Sequence, residues 1–93
     1  MTNTVETNTI RVLLVGREQI VVDDAMRQLR MRDIEVFGST TMEAVQATFA
    51  RVQIDHVIMG ARIELEDRLD IAREIFRASK TTTVHMKDPT SGP

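Results

Sequence analysis

Cysteine, tryptophan and tyrosine are absent, and the only aromatic rings besides two histidines are Phe37, Phe49 and Phe76. Without cysteine there is no disulfide, no zinc–thiolate centre and no thiol nucleophile. With so few rings, a core has to be assembled from Val, Ile, Leu and Met. No apolar run approaches the ~20 residues that span a bilayer. The polar opening Met1–Thr9 has no apolar core of the secretory kind. The expected compartment is therefore the cytoplasm, with no membrane contact. Positive charge is not in excess: 12 Lys and Arg stand against 14 Asp and Glu. That balance argues against a general nucleic-acid binder. Glycine-rich nucleotide motifs are missing too. Gly16 stands alone, with no G-x-G-x-x-G and no Walker loop.

What remains is a regular alternation. At 93 residues the chain makes one domain. Ile10–Val15 is a short apolar run, broken only by Arg11 and ended by Gly16, as expected of a strand buried on both faces. Glu18–Arg32 has helical spacing, with Val22, Met26 and Leu29 on one stripe and Ala25 beside them. Ile34–Phe37 is a second strand ended by Gly38. Thr40 followed by Glu43 reads as a capping box. It opens a helix whose stripe is Met42, Val45, Phe49 and Val52. Asp55–Met59 is a third strand ended by Gly60. A third helix spans Glu64 to Ser79, with Leu65, Leu69, Ala72, Ile75 and Phe76 as its apolar face. Thr81–Met86 is a fourth, more polar strand. The domain is expected over 10–88, between a disordered arm at 1–9 and a flexible tail at 89–93.

The order βαβαβαβ implies an α/β fold of three layers, a parallel sheet with helices on both faces. Right-handed crossovers leave few strand orders open. Gly16, Gly38 and Gly60 are equally spaced and mark the rhythm of the βα units.

Several stretches carry a family likeness. Val12-Leu13-Leu14-Val15-Gly16-Arg17-Glu18 is similar to a first strand followed by an acidic pair. Leu29 to Val36 resembles the end of a first helix and a second strand, and Glu43-Ala44 a second-helix start. Asp55 to Gly60 resembles a third strand that ends on a phosphoacceptor aspartate. On these segments the chain resembles a response-regulator receiver domain, shortened and without its switch chemistry: a pseudo-receiver. The resemblance implies a four-stranded sheet in order 2-1-3-4, and it puts Gly60 at the phosphoacceptor position and Gly16 and Arg17 at the acidic pair. The fourth-strand Thr or Ser falls on Lys87 or Asp88. Glycine offers no carboxylate nucleophile and no hard oxygen ligand for Mg²⁺. The resemblance thus implies no catalytic residues, no metal and no cofactor. It implies a regulatory or protein-interaction module whose partner is another protein or a second copy.

Two surfaces are candidates. The C-terminal strand edge, where open α/β sheets bind ligands, carries Gly16, Arg17, Gly38, Ser39, Thr40, Gly60, Arg62 and Lys87. Glycine amides beside three cations make an anion or phosphorylated-ligand site the alternative function. The same glycines also suit structural turns. On the first helix, Ile20, Val21 and Met31 fall outside the core stripe and form a candidate contact surface. His56 and His85 read as structural histidines; acid–base work by His85, Lys87 or Asp88 is the remaining enzymatic reading. A receiver has five βα units and this sequence has three and a strand. The fourth strand is then an edge, or two copies complete each other, or the sequence is part of a longer chain.

Overall fold

In the computed structural model, described for residues 9–31 and 33–87, the expected architecture is present. Strands β1 (Ile10–Val15), β2 (Ile34–Ser39), β3 (His56–Met59) and β4 (Thr83–Met86) form one sheet in order β2-β1-β3-β4. All three pairings are parallel. Helices α1 (Gln19–Leu29), α2 (Met42–Arg51) and α3 (Leu65–Ala78) are the crossovers. The arm expected at 1–9 lies outside the described residues except for Thr9. The tail at 89–93, Arg32 and Asp88 lie outside them altogether.

Central β1 is apolar and buried from Val12 to Val15 because both its faces are covered there. Leu13 and Val15 join Val57, Met59, Val45, Ile54, Ile63, Ile71 and Ile75 in the larger core, beneath α2 and α3. Val12 and Leu14 point the other way and meet Val22 of α1, with Ala25, Met26, Leu29, Ile34, Val36 and Ile58 around them. The α1 and α2 stripes fall where their spacing places them. The α3 stripe does not. Ile71, Ala72 and Ile75 are its buried residues, whereas Leu65, Leu69 and Phe76 are exposed. Two apolar directions exist on that helix, and the sheet takes the one centred on Ile71 and Ile75.

Local signals also shift. The N-cap of α2 is Thr41, whose hydroxyl accepts from the Ala44 amide at 3.1 Å, so the expected Thr40–Glu43 box does not form. Helix α1 stops at Leu29 because Arg30 is already extended. Strand β4 begins later than its threonine run. Thr81 and Thr82 build a turn instead: both amides donate to Ser79 Oγ, and the buried Thr82 hydroxyl donates to the Ile54 carbonyl at 2.6 Å.

The glycines have a different role from punctuation. Gly38 does not end β2 but lies within it, paired with Leu14. A Cβ at Gly38 meets Val22 at 2.5 Å and the Met26 sulfur at 2.7 Å; one at Gly16 meets Val22 at 2.6 Å. Both positions are bare so that α1 can press onto β1 and β2. None of the three glycines has a left-handed φ, so turn geometry is not what demands them.

This arrangement separates the glycines by experiment. At Gly60 a Cβ makes only ordinary contact, 3.6 Å from the Val15 carbonyl oxygen. Urea unfolding is expected to show Gly38→Ala destabilising by about 1–3 kcal/mol, the usual cost of overpacking a core. Gly60→Ala is expected to be neutral or slightly stabilising, since the unfolded chain loses freedom at no steric cost.

Candidate functional site

Pressing α1 onto β1 and β2 has a consequence on the far side of that face. Helix α1 is the only helix there among the described residues, and it leaves β3 and β4 uncovered. Parallel sheets normally bury both faces. Here an open groove of about 950 Å³ runs beside α1. Its floor is Val12, Leu14 and Ile58, one wall is Val21, Ala25 and Leu29 of α1, and His85 of β4 borders the other side. Strand alternation explains the floor: residues 56 and 58 of β3 and 83 and 85 of β4 share the face opposite Val57, Met59 and Val84.

The polar part of this face is a cluster of three side chains. Thr83 Oγ1 lies 2.6 Å from His56 Nδ1 and 3.1 Å from His85 Nε2. The hydroxyl has a single proton and two lone pairs, so it donates to at most one ring, and the histidine tautomers set the direction of each bond. The two rings are 5.8 Å apart between centroids. Among the described residues no group of three or more His, Cys, Asp or Glu is placed to hold a metal ion.

The expected anion edge is divided by the fold. Gly16, Arg17, Gly60, Arg62 and Lys87 do border the groove, at its end nearest the C-terminal strand edge. Gly38 sits under α1, and Ser39 is buried at 2% exposure with its hydroxyl unpartnered among the described residues. Thr40 lines a separate crevice with Arg17, Thr41 and Met42, opposite the carboxylates Glu64, Asp67 and Asp70. That crevice is acidic and repels anions. The amides offered for anion binding are also engaged. Gly16 N–H donates to the Ser39 carbonyl at 3.0 Å and Gly60 N–H to the Val15 carbonyl at 2.8 Å. What remains for an anion is the side chains of Arg17, Arg62 and Lys87.

The proposed α1 surface is likewise divided. Ile20, Val21 and Met31 are all exposed. Only Val21 lines the groove; Ile20 does not, and Met31 lies past the helix end in an isolated bridge with Ile34. Sequence reading missed the floor, because Val12, Leu14 and Ile58 look like any buried strand residues. The period-two placement of His56 with Ile58 and of Thr83 with His85 is the signal that could have found the face.

Comparison with protein-family models, curated proteins and solved structures finds no match to this chain. No helix of the described residues is long and apolar enough to cross a membrane.

Because their N–H groups are engaged in the sheet, the Gly16 and Gly60 amide resonances are expected to stay in place during titration with millimolar phosphate. Saturable shifts at both would show that the glycine amides do take an anion.

Proposed function

We propose that this chain is a non-catalytic docking module on a shortened receiver-type scaffold, and that it takes up a partner protein's amphipathic helix in the groove beside α1. The observation that carries this reading is the bare α1-side face of β3 and β4. A helix laid there would continue the layer that α1 begins and cover Ile58, His56 and His85 (the helix-in-groove mode of recognition). Charge states the partner's chemistry. Arg17, Arg62 and Lys87 stand at one end against the single carboxylate of Glu18, so the incoming helix bears carboxylates at the end it places there. The same three cations support a second reading, a small anionic ligand held by side chains alone.

The pseudo-receiver part of the proposal rests on residue identity. Gly60, Gly16 and Arg17 occupy the positions that would carry phosphoacceptor and acidic pair. Acetyl phosphate with Mg²⁺ is expected to leave the protein unlabelled; an acyl phosphate on the chain would refute the alignment.

Docking is tested with a synthetic helix that has leucines along one face and glutamates at one end. Its binding is expected to shift the signals of Leu14, Ala25, Ile58 and His85. The same helix with lysines for glutamates is expected to bind at least tenfold more weakly, as is the acidic helix to Val21→Asp or Arg62→Glu. Shifts confined to other faces, or indifference to the peptide's charge, would remove the groove from consideration.

A further inference from the structure

Helix α3 carries a second apolar stripe whose three large residues the described chain leaves exposed, beside the buried Ala72. Leu65, Leu69 and Phe76 are 64%, 42% and 57% exposed. With Ala72 they sit at positions 65, 69, 72 and 76, the alternating four-three spacing of a coiled-coil seam. The seam is about 16 Å long at the rise of an α-helix. Angular placement at 100° per residue sets it roughly a third of a turn from the buried Ile71–Ile75 direction. It lies on the flank away from α2, which meets Glu74, Ile75 and Ala78.

The charges beside this seam are segregated along the helix. Glu66 and Asp70 flank its first half, and Arg73 and Arg77 its second. The opposing charges within each half are restrained. Arg68 is tied down to the Ala61 and Ile63 carbonyls at 2.8 and 2.9 Å. Glu74 faces the α2 side, in a long 3.5 Å pair with Arg77. Asp70 and Arg73 pair with each other at 2.7 Å, both well exposed.

This pattern is complementary to itself when reversed. We infer that the α3 seam is a homodimer interface, in which the α3 helices of two copies pack antiparallel about a two-fold axis. An isologous contact requires one patch to match its own two-fold image, and each row here does. Leu65 faces the partner copy's Phe76, and the two Leu69 side chains lie beside each other near the two-fold axis. Glu66 meets Arg77 and Asp70 meets Arg73, each pair twice. An unrelated partner would explain the exposed stripe but not its match to its own reverse. The inference stands apart from the docking groove, which is on the other face of the sheet.

Sedimentation of the full chain over a wide concentration range tests it, with circular dichroism confirming that each variant is folded. The chain is expected to dimerise. Leu69→Asp is expected to raise the dissociation constant at least tenfold, whereas Val21→Asp in the groove leaves it unchanged. The double variants Glu66→Lys/Asp70→Lys and Arg73→Glu/Arg77→Glu are each expected to be monomeric alone, because every flanking pair becomes a repulsion. Mixed together they are expected to form a heterodimer, since all four pairs are then opposite in sign. A chain that stays monomeric at millimolar concentration overturns the inference. So does a dimer that ignores Leu69→Asp, or a pair of charge variants that do not associate when mixed.

Discussion

Val22 sits on two glycines. Its methyl groups occupy the space over Gly16 and Gly38 that any β-carbon would fill, and it is buried at 3% exposure. A β-branched side chain is stiff, so this contact fixes how closely α1 approaches the sheet and where. The helix is held over β1 and β2, and the smaller core forms beneath it from Val12, Leu14, Ile34 and Val36. Everything distinctive about the surface follows. A helix seated so far to one side cannot also cover β3 and β4, and the face that carries Ile58, His56, Thr83 and His85 is left open to solvent.

The two faces of the sheet therefore stand in different conditions. Among the described residues, α2 and α3 lie side by side on one and close a core of ten buried residues. On the other, α1 alone of the described helices shelters Val12 and Leu14 with its own Val22. The larger core supplies the rigidity, and the uncovered face of the smaller one supplies a place to bind. Strand β4 belongs to both. Its start is pinned by the Thr82–Ile54 hydrogen bond, while its outer edge has no strand partner among the described residues.

Much of this was legible in the sequence. The alternation of apolar runs and helical stripes gave the seven elements, crossover handedness narrowed the strand orders, and the likeness to a receiver supplied the order 2-1-3-4. The reason is that β1 and the stripes of α1 and α2 repeat a single periodicity. Where two patterns overlap, reading failed. Leu65, Leu69 and Phe76 resembled core because they share a helix with Ile71 and Ile75, and only the packing shows which set faces the sheet. The glycines misled differently. Their spacing suggested turns and free amides, but their cause is a contact with Val22, a residue distant from Gly38 in sequence. The site was half legible: Arg17, Arg62 and Lys87 were picked out, whereas the groove between them and α1 depends on a helix being displaced, which no local pattern encodes.

The openness of that groove is the claim on which the functional reading rests, and isoleucine methyl signals in the presence of a soluble paramagnetic probe measure it directly. The account predicts that the half-buried Ile58 methyl is relaxed less than exposed Ile20 but well above Ile54 and Ile75, at 1% and 0% exposure. It further predicts that an acidic amphipathic helix protects Ile58 and leaves Ile20 exposed. An Ile58 methyl already as protected as Ile75 in the free protein would show the face to be covered, and would contradict the account.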